Sequence, residues 1–97
     1  MGRYIKRVTL DVLNPQEPGV DKYAEELANL EVIDSIKITL NEIDTKTETV
    51  KIIIEGDGIE MESIQDKIKK LGGTIHSIDD VVASTGDLLD TSFYYEE

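Results

Sequence analysis

What most constrains this chain is the order in which its hydrophobic period changes, from two to that of a helix, then back to two twice, helical again, and two once more. Between residues 3 and 13 the run RYIKRVTLDVL sets Tyr4, Val8, Leu10 and Val12 on one side and Ile5, Arg7, Thr9 and Asp11 on the other. That is a strand with one wetter face. Asn14-Pro15 and Pro18-Gly19 then punctuate the chain, and Pro18 suits the first turn of a helix, where its missing N–H is not required. Val20, Tyr23, Ala24, Leu27 and Leu30 follow as one helical stripe, with Asp21, Glu25 and Glu26 facing water.

Residues 32–43 read as a second strand, with Ile36, Ile38 and Leu40 alternating against Lys37, Thr39 and Asn41, and Val50, Ile52 and Ile54 mark a third. The polar stretch Asp44-Thr45-Lys46-Thr47 makes these two a hairpin. Gly56-Asp57-Gly58 ends the third strand, after which Met61, Ile64, Ile68 and Leu71 keep helical spacing up to Gly72-Gly73. Glu60, Glu62 and Asp66 open that helix and Lys67, Lys69 and Lys70 close it, the order that complements the helix dipole. A fourth strand runs from Thr74 toward Ala83, and periodicity is lost from Ser84 onward.

This order predicts an α+β, ferredoxin-like βαββαβ sandwich. Its four-stranded antiparallel sheet has the order 4-1-3-2 and carries both helices on one face. A length of 97 residues fits a single core. The expected organisation is one domain over 1–84 and an acidic, aromatic tail over 85–97.

Composition narrows the function more by exclusion than by indication. Twenty-one acidic against 10 basic residues give a net charge of −11, which repels phosphate backbones and anionic lipid, so neither nucleic acid nor membrane is an expected partner. The absence of cysteine removes disulfides, thiolate catalysis and cysteine-held zinc or iron–sulfur sites. With no long apolar run and no leader pattern, a cytoplasmic protein is expected.

Aligning Leu13 with Thr74 would set Asp11 opposite His76 and Arg7 opposite Asp80 on the open side of the sheet. The fourth strand carries a phase defect: Ile75 and Val81 want the core, which would turn Asp79 inward with them, and a bulge between Ser77 and Asp80 would relieve it. Asp11, Glu42, His76, Asp79 and Asp80, with Asp44 nearby, are the candidate metal ligands. Their oxygen-rich chemistry suits Ca²⁺ or Mg²⁺, although no loop has the spacing of a calcium motif. No GxGxxG, P-loop or GxSxG pattern surrounds any glycine or serine, so no cofactor is certain and no enzyme is expected. Ile5, Leu13, Ile53, Ile78 and Val82 on the open face, with Leu88, Leu89, Phe93, Tyr94 and Tyr95 in the tail, point to an interface. Ile5, Ile53, Phe93, Tyr94 and Tyr95 are its candidate anchors.

Three motifs carry a family resemblance: Leu10-Asp11-Val12-Leu13 with Pro15 and Glu17-Pro18; Ile38-Thr39-Leu40 with Glu42-Ile43-Asp44; and Gly73 with Ile75-His76-Ser77, Asp79 and Val81-Val82-Ala83. Over about residues 3–84 the chain resembles an uncharacterised archaeal family, domain of unknown function two-eleven. The resemblance implies a ferredoxin-like fold, cytoplasmic ring-like homo-oligomers and no established activity, and it places Asp11, Glu42, His76 and Asp79 at motif positions. Heavy-metal-associated copper carriers are similar in pattern, but their CxxC is absent here. Asp11 and Pro18-Gly19 are similar to the DxPG turn of ACT-type regulatory domains with residues inserted, the basis for an alternative reading as an amino-acid sensor. The leading expectation is a non-enzymatic module that partners with itself and holds divalent cations through carboxylates.

Overall fold

The computed structural model of the chain describes residues 4–17 and 19–85. The elements are β1 (Tyr4–Pro15), α1 (Val20–Ala28), β2 (Ile33–Ile43), β3 (Thr47–Gly56), α2 (Met61–Lys70) and β4 (Thr74–Ser84). The strands form one sheet in the order β2-β3-β1-β4, and every neighbouring pair is antiparallel. Read from the other edge this is 4-1-3-2, as the sequence predicts. Pro18, the tail from Gly86 onward, and with it Leu88, Leu89, Phe93, Tyr94 and Tyr95, lie outside the described residues.

Alternation decides which face of the sheet is covered. Val8, Leu10 and Val12 of β1 and Val50, Ile52 and Ile54 of β3 are buried together with Tyr23 and Leu27 of α1 and Ile64 and Ile68 of α2. Both helices therefore lie on that face, each offering the stripe its spacing announces. Val20 is the exception: it is 39% exposed, because it occupies the first helical position, at the outer rim of the layer. Lys67 Nζ reaches Glu26 at 2.9 Å and ties α2 to α1. This hydrogen bond and the Lys67 charge hold the Glu26 carboxyl below its ordinary pKa.

Two turns fix the hairpin and the second crossover. The Asp44 N–H donates to Thr47 O at 2.8 Å and closes β2 onto β3, while Asp44 Oδ1 accepts from the Thr45 N–H at 2.7 Å. After α2, Gly72 takes φ +92°, a conformation glycine reaches without a Cβ penalty.

The ladder between β1 and β4 is irregular in three places. Leu13 does pair with Thr74, but Val12 pairs with Ile75 and Asp11 with Ser77, so His76 is an extra residue. Leu10 pairs with Ile78 and Thr9 with Asp80, so Asp79 is a second extra residue, inside the predicted bulge. On the other strand Lys6 is extra between Ile5 and Arg7. The expected pairs Asp11–His76 and Arg7–Asp80 are thus replaced by Asp11–Ser77 and Arg7–Val82, since each bulge advances the register by one residue.

Candidate functional site

The face away from the helices is a polar lattice in which each cross-strand row can be followed from edge to edge. Ser35, Glu55, Arg7 and Val82 form one row; Lys37, Ile53, Thr9 and Asp80 the next; Thr39, Lys51, Asp11 and Ser77 a third. Opposite charges stand side by side in these rows, as Glu55 with Arg7 and Lys51 with Asp11. Ser35 Oγ donates to Glu55 Oε1 at 3.3 Å. Of the apolar residues expected here, Ile53, Leu13 and Val82 remain on this face. Ile5 packs against the core cluster instead, because the Lys6 bulge rotates it inward. Ile78 sits opposite Leu10 and so belongs to the helix side.

Each candidate metal ligand has a definite place. Asp11 is half-buried in the middle of the sheet, His76 and Asp79 are the two exposed extra residues of β4, and Asp80 lies opposite Thr9. Ser77 Oγ donates to Asp79 Oδ1 at 2.7 Å. Glu42 pairs with Thr49 near the end of β2. Because β2 and β4 are opposite edges, three strand spacings, about 14 Å, separate Glu42 and Asp44 from the β4 acids. A single chain does not bring the set together, and among the described residues no group of three or more His, Asp or Glu converges.

The sequence gives little notice of where the large apolar side chains are exposed. Leu40 (44%), Ile43 (65%), Ile78 (47%) and Val81 (50%) all lie on the two edge strands. Their ladder partners are Val50, Glu48, Leu10 and Val8, all buried on the helix side. Element length explains their exposure. Strands of 11 residues run about 36 Å, whereas helices of 9 and 10 residues span about 15 Å. The helical layer cannot reach all of the sheet it faces.

Two further features have no clear signature in the sequence. Lys6 Nζ is held by Asp57 and lies 5.6 Å from the centre of the Tyr4 ring, so the bulge residue is tied down by an ion pair and a cation–π contact. A cleft of about 340 Å³ opens between the α1–β2 turn and the start of α2, lined by Leu30, Val32, Ile33, Gly58, Glu60 and Ser63 among others. Gly19, the other half of the Pro-Gly pair, serves as the N-cap residue of α1.

Residues 6–92 match the family of uncharacterised ArCR proteins, domain of unknown function 211. The chain belongs to that family. An uncharacterised protein of Methanocaldococcus jannaschii is 51% identical over 79 residues, which is 81% of each chain. The matched span extends past β4 into the segment that follows it. No helix among the described residues is long and apolar enough to cross a membrane.

Proposed function

We propose that this chain is a non-enzymatic, self-associating module whose copies meet edge to edge, β2 of one against β4 of the next. The carrying observation is that among the described residues β2 and β4, 11 residues each, are the outer strands of the sheet, and each carries two exposed large apolar residues. The strand directions support the union. β2 runs parallel to β1 in space and β4 runs against it, so a neighbour's β4 continues the sheet in antiparallel fashion. Such a contact is heterologous, and it closes into a ring when the rotation per copy divides a full turn.

The same contact gives the separated acids a common location. Glu42 and Asp44 of one copy would lie along the edge that carries His76, Asp79 and Asp80 of the next, an oxygen-rich seam suited to Ca²⁺ or Mg²⁺.

Light scattering on the purified chain tests the assembly. Ile43→Lys or Val81→Lys should convert the oligomer to monomer, and a wild-type chain already monomeric at micromolar concentration would sink the proposal. Ions bound at the seam should raise the melting temperature of the oligomer, and the rise should vanish in Asp79→Asn, Asp80→Asn. An amino-acid sensor of the ACT type would instead respond to amino acids in the same thermal assay.

A further inference from the structure

Between α2 and the start of β4 lies a groove of about 290 Å³, lined by Gln65, Ile68, Lys69, Gly73, Thr74 and Ile75. It is on the helix side of an outer strand, since Ile75 pairs with Val12 and packs against the core. At the opposite edge of the sheet Ile43, the most exposed large apolar residue among those described, also belongs to the helix side, where its ladder partner is the buried Glu48. The two edges share a spacing as well. On β2, Leu40 and Ile43 are successive helix-side residues three positions apart, because Asn41 is extra in the ladder with β3. On β4, Ile75 and Ile78 are successive helix-side residues three positions apart, because His76 is extra in the ladder with β1.

We propose, resting on the edge-to-edge reading above and deepening it, that copies of this chain join in one register. Ile43 of one copy enters the groove opposite Ile75 of the next, and Leu40 stands opposite Ile78. The strands run antiparallel, so the two spacings coincide and the extra residues Asn41 and His76 face each other across the seam. Charge separates this register from its neighbours. On the polar face Glu42 lies beside His76 and Ser77 of the next copy, Thr39 lies opposite Asp80, and Lys37 is diagonal to that carboxylate. Lys69, on the rim of the groove, is on the side of Asp44, the residue after Ile43. Sliding one helix-side position, to Ile43 opposite Ile78 and Leu40 opposite Val81, sets Glu42 against Asp80 and leaves the groove empty. Such a like-charge pair is unfavourable, all the more on a chain of net charge −11. Sliding the other way, to Leu40 opposite Ile75, carries Ile43 past Thr74, where β4 begins, with no strand beside it.

The chain has no cysteine, and within one copy β2 and β4 are three strand spacings apart, about 14 Å. A disulfide needs Cα atoms within about 7 Å, so one that joins these strands forms only between copies. Under mild oxidation the variant Leu40→Cys, Ile78→Cys should cross-link at least about fivefold faster than Leu40→Cys with Val81→Cys or Leu40→Cys with Ile75→Cys. Mixed single variants Leu40→Cys and Ile78→Cys should give a dimer that neither gives alone, because the contact is heterologous. Should the loss of Leu40 and Ile78 dissociate the assembly in light scattering, Thr39→Cys with Asp80→Cys reads the same register from the polar face, against Thr39→Cys with Val82→Cys. Equal or faster cross-linking of a shifted pair would overturn the register and leave the edge-to-edge contact standing. Disulfides formed by Leu40→Cys alone or Ile78→Cys alone would mean that like edges meet, and a monomeric wild-type chain would mean that no edges meet; either result overturns both readings.

Discussion

Tyr23 lies on the inner side of α1 with its ring 1% exposed and its hydroxyl against Gly73, where an added Cβ would collide with it. The hydroxyl has no hydrogen-bond partner among the described residues, and burial pushes its pKa from 10.0 up to about 12. The unfolded chain gives up this proton first, so stability is intact below pH 10 and declines as pH rises from 10 toward 12. Tyr23→Phe should therefore flatten the alkaline limb of a urea-unfolding series and change stability by less than about 1 kcal/mol at neutral pH, where the phenol gains little from its unpaired hydroxyl. Val32 is a second strained position. A β-branched residue at φ +65° is a steric outlier, and it is held there because its carbonyl accepts the Asp57 N–H at 3.0 Å. Gly56 passes so close to that carbonyl that a Cβ would strike it. Thermal unfolding should show Val32→Gly gaining on the order of 0.5 kcal/mol, the left-handed penalty less the entropy of glycine. Gly56→Ala should lose about 2–3 kcal/mol through overpacking against backbone.

Among the elements, β2 and β4 each carry two extra residues, and the departures of β4 follow from its sequence. Ile75 and Val81 both belong on the helix side and stand six positions apart, so a flat strand could satisfy both only by turning Asp79 inward with them and burying that carboxylate. The bulge at Asp79 resolves the conflict, and this much is readable from the phase of the apolar residues. The bulge at His76 follows from it, because one extra residue alone would turn Ile75 outward and a second returns it to the helix side opposite Val12; the bulge at Lys6 is not readable in this way, since Lys6 is fixed by Asp57, which lies 51 positions away in the chain. An extra residue is one the ladder does not need. Deleting Asp79 leaves Leu10–Ile78 and Thr9–Asp80 as consecutive pairs, so that variant should retain a cooperative transition and a dispersed amide spectrum. Deleting Ile53 from β3, whose pairing with β1 is unbroken from Arg7 to Pro15, turns half the strand over and should abolish cooperative unfolding.

For the whole molecule, the balance to consider is between a strongly acidic chain and the surfaces on which its copies would meet. At net charge −11, copies repel each other at long range, and added salt screens that repulsion while leaving apolar contact intact. Self-association through Leu40, Ile43, Ile78 and Val81 should consequently strengthen between low and moderate ionic strength, as read by sedimentation velocity; an association that weakens with salt would point to ion pairs instead. The sequence by itself determined the number, kind and order of the elements, the buried faces of β1, β3 and both helices, and the antiparallel order of the sheet. All of these follow from local period and short connections, which act within a few residues. Tertiary structure alone decided that Asp11 meets Ser77 and not His76, that Ile5 turns inward, and that the helices leave the sheet edges uncovered. Those outcomes depend on accumulated register and on the relative lengths of strands and helices, quantities that exist only once distant segments have been laid side by side.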